Sequence, residues 1–595
     1  LSGVTGLDNK ITFGATGTLA VAGSSGTVDI AGAAGGLTIG GTGGTLTLTN
    51  TGGTTEATGV KALTISTSGA LSANLADLGQ LTSVTSNGEG GATIASPGVK
   101  VASIVTGEGA DRVAVNTATA KDNTTTAADE TVSADVVTGA GNDTVNITTA
   151  GAGTTTVATG EGNDIVYARA LSTGTAAITT GAGNDTVDIT NIALGTYPSL
   201  TIGAGDGVDT LITGGASFTA VDYLRMNAAL SDFEAITFTS AVGTNASSAL
   251  DVSKLAIGSV ATLNFEAGAN FVKKVAGQTL NLTGAAAART ASTDGITPSK
   301  QAYTGGQNLE ATAAGYVEGV ANAYATNYAG SLSVVSKSNN TSTINVHAES
   351  ATIDVVAKGG SATTAYAQVV NTTSSDVKSL TVNLSSAQGS GTNTATPYIA
   401  TFNAGIVTDT SATGYADHLR SLSSLTVTGD GVFTIDTSGV ASPLLVNLTT
   451  IDLSGMTAKL DLTSAGLVAT PLVNNSTSNV TLSGVAAETV LLGGARDTVV
   501  TATSTVKVMD TITGFELTAN ATNALLADTA RSDVLDLGNV GAFAKFTSTT
   551  ATTFVGMLTE AGDAAGANLV FHFGGDTYVY SDTGAGLDDN DILVK

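Results

Sequence analysis

The chain has 595 residues, 74 of them Gly, with 6 Pro, no Cys and no Trp; 49 acidic against 22 basic residues give a formal net charge of −27. A nucleic-acid binder carries the opposite balance, the missing Cys excludes disulfides and thiol catalysis, and scarce Lys, Glu and Arg exclude coiled coils and helix bundles. Gly follows no three-residue period, which excludes collagen, and no uninterrupted apolar run is long enough to span a bilayer.

Frequent Gly, Thr, Val and Ser point to short β-strands joined by tight turns, and the length points to several domains. An acidic chain of this size either sits in high salt or neutralises itself with cations. The first residue is Leu1 and no signal-peptide pattern follows, as in a processed product or a fragment.

Residues 1–100 read as a Gly-rich β-solenoid. Short runs recur at Ile11-Phe13, Leu19-Val21, Val28-Ile30, Leu37-Ile39 and Leu46-Leu48, a step of about nine residues. Each run is too short to bury a face alone, so stacked coils are one solution; short strands at this spacing also fit a sandwich.

Residues 101–215 carry the most informative pattern. Five turns align: Gly107-Glu108-Gly109-Ala110-Asp111, Gly139-Ala140-Gly141-Asn142-Asp143, Gly160-Glu161-Gly162-Asn163-Asp164, Gly181-Ala182-Gly183-Asn184-Asp185 and Gly203-Ala204-Gly205-Asp206-Gly207-Val208-Asp209. The middle three start 21 residues apart, the first step is 32 and the last 22. On this alignment Asp206 falls at the Asn position and two extra residues precede Asp209. Ile104, Val136, Val157, Ile178 and Leu200 stand three residues before the first Gly of each turn, and Val113, Val145, Val166 and Val187 two after the first four Asp. That alternation puts them on one face of a strand, so each unit is a coil of strand, turn, strand and return.

Residues 216–480 read as β-rich central domains. Tyr223 to Phe238 contains a helical stretch followed by a strand, Leu422-Val427 and Val446-Leu453 read as strands, and the Ala-rich, Tyr-dotted segment 284–330 is either helix or long surface loop. Residues 481–595 return to a β pattern.

The turns predict a cation site. Gly permits φ > 0 and close backbone approach, Asp and Asn add hard oxygens, and calcium (Ca2+) takes six to eight of them. The candidate ligands are the turn residues Gly107, Gly109, Asp111, Gly139, Gly141, Asn142, Asp143, Gly160, Gly162, Asn163, Asp164, Gly181, Gly183, Asn184, Asp185, Gly203, Gly205, Asp206 and Asp209. The plainer reading is a set of tight β-arc turns, which Gly, Asn and Asp favour anyway. Carboxylates stacked about 5 Å apart repel unless a cation lies between them. Further candidates are Asp430 (a lone turn or an ion site), Asp497 beside an unhelpful Arg496, Asp510, and Asp588 with Asp591 (calcium or an exposed hairpin loop).

Enzyme chemistry finds little support. His347, His418 and His572 fit no His-Glu-x-x-His frame, no Gly-x-Ser-x-Gly elbow occurs, and the Asp417-His418 pair reads as surface loop.

The turns resemble the repeat-in-toxin (RTX) nonapeptide, Gly-Gly-x-Gly-x-Asp and an apolar residue, with Thr106, Thr138, Thr159, Thr180 and Ile202 in place of the first Gly. Together with Ser231-Asp232-Phe233-Glu234-Ala235-Ile236, the Asn281-Leu282-Thr283-Gly284 segment, and Gly574-Gly575-Asp576-Thr577-Tyr578-Val579-Tyr580-Ser581-Asp582 leading into Asp591-Ile592-Leu593-Val594-Lys595, the chain resembles RTX-type surface-layer (S-layer) proteins of Gram-negative bacteria. The resemblance implies an all-β, multi-domain fold, a β-solenoid or parallel β-roll at 101–215 with RTX-like calcium turns, further β-rich domains and an RTX-like C-terminal domain. It implies type I secretion and a calcium-dependent two-dimensional lattice of identical subunits on the cell surface, with lipopolysaccharide as the partner of an anchoring part not recognisable here. It implies neither an enzyme nor a nucleic-acid binder. The alternative functions are an RTX adhesin or surface fibre binding a host or glycan ligand, and a secreted hydrolase.

Overall fold

The computed structural model describes residues 7–31, 35–50, 59–95, 100–117, 133–150, 153–169, 171, 174–192, 200–215, 218–243, 248–266, 268–283, 308–314, 331–336, 342–357, 367–371, 377–386, 399–403, 422, 424–429, 432–436, 450–456, 460–463, 471–474, 478–481, 489–491, 498–500, 509, 511–513, 515, 519–520, 523–527, 534–537, 543–548, 550–563, 568–581 and 591–595. Nearly every element is a strand, and the chain divides into two compact units, Leu1–Ala267 with Ala285–Ala302, and Gly268–Gly284 with Tyr303–Lys595. The fold is all-β. Among the described residues no helix is long and apolar enough to cross a membrane.

The first unit is a stack of coils with one strand of each coil in each of two parallel ladders. One ladder runs from Gly36–Thr49 through Ala62–Thr67, Ser83–Ser86, Ser103–Val105, Ala134–Val137, Thr154–Glu161, Thr175–Ala182 and Leu200–Asp206 to Leu230–Ser231. The other also starts at Gly36–Thr49. It continues through Leu71–Asn74, Ala92–Ala95, Arg112–Thr117, Thr144–Ala150, Ile165–Tyr167, Thr186–Asp188, Thr210–Thr213 and Ala235–Phe238 to Thr262–Phe265. Parallel strands require a connection at both ends, which the two turns of each coil supply.

The core follows from period-two alternation. Ile104, Val136, Val157, Ile178, Ile202 and Leu230 share one register position of the first ladder, and Val113, Val145, Val166, Val187, Leu211, Ile236 and Leu263 one of the second; all are buried. Each such side chain contributes about 1.5–3 kcal/mol on burial. No coil holds enough of them to stand alone, so stability is a property of the stack.

The N-terminal segment is a solenoid and not a sandwich, because its strands pair in parallel. Its repeat differs from the sequence expectation. Thr16–Ala31 and Gly36–Thr49 are single long strands, with Leu19 opposite Ile39 and Val28 opposite Leu48. A coil is therefore about twenty residues, and the nine-residue step is half a coil; register shifts at Val21/Ala22 and Ala22/Ser24 take up the bend. The ladders pass residues 100 and 215 without a break and reach Phe265.

The helix expected near Tyr223 spans Ala220–Ala229, followed by the strand Ala235–Phe238. A capping box starts the helix. The Thr219 N–H donates to the Asp222 carboxylate at 2.8 Å, and the Asp222 N–H donates back to the Thr219 hydroxyl.

The second unit repeats the two-ladder plan. One ladder runs from Ala269–Val275 through Asn308–Ala313, Ser342–His347, Ala367–Asn371, Ile399–Asn403, Val432–Asp436, Leu460–Thr463, Ser478–Thr481 and Thr498–Val500 to Val534–Asp536. The other runs from Thr279–Leu282 through Ser331–Ser336, Ser350–Ala357, Ser379–Ser386, Ser424–Gly429, Thr450–Met456, Pro471–Asn474 and Thr489–Leu491 to Thr511–Thr513. The central region read as generic β-rich domains is thus also a parallel stack. Of segment 284–330, Asn308–Ala313 is a strand of it, whereas 284–307 and 315–330 lie outside the described residues.

A four-stranded mixed sheet (Phe543–Lys545, Asn568–Phe573, Asp576–Ser581 and Ile592–Val594) and the helix Phe554–Asp563 finish the unit. Ile592 and Val594 pack with Leu537 and Ile512, and the Ile512 N–H donates to the Lys595 carbonyl at 2.6 Å. The strand Ile592–Val594 thereby packs against the final described strands of the stack.

Candidate cation site

The Gly-rich turns join the first ladder to the second and stack along one edge of the first unit. Each needs Gly for a steric reason. Gly162 sits at φ +129°, and a Cβ there would lie 1.8 Å from the Gly141 carbonyl oxygen of the preceding coil. The backbones of neighbouring turns touch, leaving no room for side chains between them.

Each turn carries its Asp inward. Asp111, Asp143, Asp164, Asp185 and Asp209 hold one register position in five successive coils and are at most 1% exposed. Each Oδ1 accepts the backbone N–H of the coil before it. Ala92 donates to Asp111 at 2.6 Å, Asp111 to Asp143 at 2.8 Å, Asp143 to Asp164 at 2.7 Å, Asp164 to Asp185 at 2.8 Å, and Asp185 to Asp209 at 2.7 Å. Each Oδ2 is buried without a hydrogen-bond donor. A buried carboxylate with one oxygen unmatched is costly unless a proton or a cation takes it.

A second buried column faces the first. The Thr106 hydroxyl donates to the Thr138 carbonyl at 3.0 Å, Thr138 to Thr159 at 3.1 Å, Thr159 to Thr180 at 2.9 Å and Thr180 to Ala204 at 2.7 Å. Thr138 and Thr159 lie beside the Asp143 and Asp164 carboxyls, but each hydroxyl gives its one proton to the next carbonyl and leaves the carboxylate Oδ2 without a donor. The hydroxyl oxygens therefore remain available as further hard donors. At the rim, Asn142, Asn163 and Asn184 accept the N–H of Asn163, Asn184 and Val208 at 2.7–2.8 Å, an exposed column that ties turn to turn.

Electrostatics agree with the orphaned oxygens. Burial raises the pKa of Asp111, Asp143 and Asp209, and raises that of Asp164 to about 6, with repulsion from Asp143 and Asp185 adding to the last. Asp188 shows the contrast. Burial acts on it too, but Arg169 and Thr190 hydrogen-bond it and hold its pKa below the usual range. A group whose folded pKa is raised stabilises the fold below its unfolded value and loses that contribution as pH rises through the folded value. In metal-free buffer, stability is therefore expected to fall between pH 4 and pH 6–7, and millimolar calcium is expected to remove the fall. Thermal melts at four pH values read both effects. Asp188, with its pKa lowered, contributes stability that is present above the ordinary carboxylate value and lost only as pH falls below it, so it does not oppose this window.

The fifth turn corrects the sequence alignment. Gly205 pairs with Gly181 and Asp206 with Ala182, while Gly203 pairs with Thr179. Gly207 therefore stacks on Gly183, Val208 stands at the Asn position, and Asp209 follows with no insertion, 24 residues after Asp185. Gly203 is outside the turn, Asp206 is exposed at its rim, and Ile202, not Leu200, is the apolar partner of Ile178.

Among the other candidates, Asp591 is buried and accepts the Tyr580 hydroxyl at 2.7 Å, so it belongs to the C-terminal core and not to an exposed hairpin loop. Asp430, Asp497, Asp510 and Asp588 lie outside the described residues.

Two features escaped sequence reasoning. The Thr column was read only as a replacement for Gly. Glu234 occupies the position after Asp209, and its Oε2 accepts the Asp209 N–H at 2.9 Å. The apolar residue two places on, Ile236, is the signal that would have found it.

Among the described residues, no group of three or more His, Asp or Glu side chains converges on one point. An ion here would be held by two successive carboxylates with turn carbonyl and Thr oxygens, which fits the hard, oxygen-only chemistry of calcium. In comparison with known proteins, no family model matches the chain and no curated sequence is similar to it.

Proposed function

We propose that the chain is a structural, non-enzymatic protein of the outer surface of a Gram-negative bacterium, secreted without a membrane span and assembling with copies of itself into a calcium-dependent two-dimensional layer. The observation that carries the cation dependence is the column of five fully buried Asp side chains, each with an unmatched Oδ2. Calcium entering the steps of this column neutralises stacked like charges and locks coil to coil. Metal-poor surroundings leave the carboxylates repelling, which favours an open chain before export, and binding then supplies folding free energy. The net charge of −27 adds a general need for cations between subunits.

The test is negative-stain electron microscopy of the purified protein in millimolar calcium and after chelation. Ordered sheets that dissolve on chelation are expected. Dispersed particles in both conditions, or sheets that survive exhaustive chelation, overturn the lattice reading.

A further inference from the structure

We propose that Glu234 is a cation ligand that closes the carboxylate column, forming with Asp209 a terminal site of its own; this rests on reading the column as a cation site. Thr210 pairs with Ala235, so Asp209 and Glu234 occupy the same position in successive coils. The bond from the Asp209 N–H to Glu234 Oε2 repeats the bond that each Asp of the column makes. In the step between these two coils, Asp209 Oδ2 is buried without a donor, and Glu234 Oε1 accepts nothing from the described residues. One coil further on the position is Ala261, and at the opposite end, before Asp111, it is Ala92. The column is therefore six acids long, bounded on both sides by residues whose side chains carry no ligand.

A backbone cap alone does not call for an acid. Any neutral side-chain oxygen would satisfy the Asp209 N–H. Placing a carboxylate there sets a like charge against a buried one, a cost that a divalent cation between them offsets. The extra methylene of Glu relative to Asp still reaches the same N–H. The site is thus less enclosed than the steps before it: Glu234 is half-buried, whereas the five Asp are not exposed.

The experiment counts calcium ions bound per full-length chain by calorimetric titration, for the parent and for Glu234→Gln, Glu234→Asp and the rim control Glu161→Gln. Gln keeps an oxygen for the Asp209 N–H and removes the charge. Glu234→Gln is expected to bind one ion fewer, while Glu234→Asp and Glu161→Gln keep the parental count. A parent that binds no calcium overturns the column reading, and this proposal with it. A parent that binds calcium and a Glu234→Gln variant with the same count overturn the role of Glu234 alone. Anomalous diffraction from parent crystals grown in calcium covers the case in which the Gln variant misfolds. A peak beside Glu234 is expected, and peaks restricted to the steps from Asp111 to Asp209 overturn the proposal.

Discussion

Asp164→Asn is expected to leave the metal-free protein at least as stable as the parent at pH 7, and to remove much of the stabilisation that calcium gives. The amide oxygen of Asn still accepts the Asp143 N–H, the bond the carboxylate makes at 2.7 Å. Loss of the charge removes the repulsion that Asp143 and Asp185 exert on this buried group. The same change takes a ligand from both adjoining steps. A ligand at a hundredfold its Kd stabilises by about 2.7 kcal/mol per site, so a deficit of about 3–5 kcal/mol relative to the parent in saturating calcium is expected. Urea melts with and without calcium measure both halves. A purely structural turn column gives the opposite pattern, with equal effects in the two conditions.

The second large effect comes from glycine. Gly162→Ala is expected to destabilise the first unit by about 2–5 kcal/mol, combining ~1–2 kcal/mol for left-handed backbone with ~1–3 kcal/mol of overpacking. Its Cβ would stand 1.8 Å from a backbone oxygen, and the backbone of a stacked turn cannot move without its neighbours. Gly203→Ala is the matched comparison. Gly203 has no positive φ, and its nearest neighbour is the Ser231 hydroxyl at 3.5 Å, so less than about 1 kcal/mol is expected. The contrast also tests the register of the fifth turn, because the alignment read from sequence makes Gly203 the equivalent of Gly181.

That register shows where sequence reasoning ran out. Three turns in identical frame, from Gly139, Gly160 and Gly181, make the column legible, and the flanking Val and Ile residues locate its core. In the fifth, Gly203, Gly205 and Gly207 offer two frames that composition cannot separate. Pairing selects the frame that places Gly205 and Gly207 on the tight approaches at Gly181 and Gly183. Glu234 was hidden for a related reason, since its turn has lost the Gly pair and keeps only the acid and the apolar residue two places on.

The second unit was illegible as a solenoid because its coils share no length. Asp354 and Asn383 are neighbours 29 residues apart, and Asn383 and Thr428 are neighbours 45 apart. Variable return segments of this kind erase the period while leaving the strands in parallel register. In the N-terminal segment the opposite happened. A regular step of nine was visible, but it counted the two legs of one coil separately.

The central claim, that the unmatched carboxylate oxygens of the column hold divalent cations, is tested most directly by the calcium content of the folded protein. Equilibrium dialysis followed by atomic absorption compares the parent with the triple variant Asp143→Asn, Asp164→Asn, Asp185→Asn, with circular dichroism to verify that both are folded. Several ions per chain in the parent, most of them lost in the variant, are expected. A folded parent without bound calcium, or a variant that retains the full content, would contradict the claim.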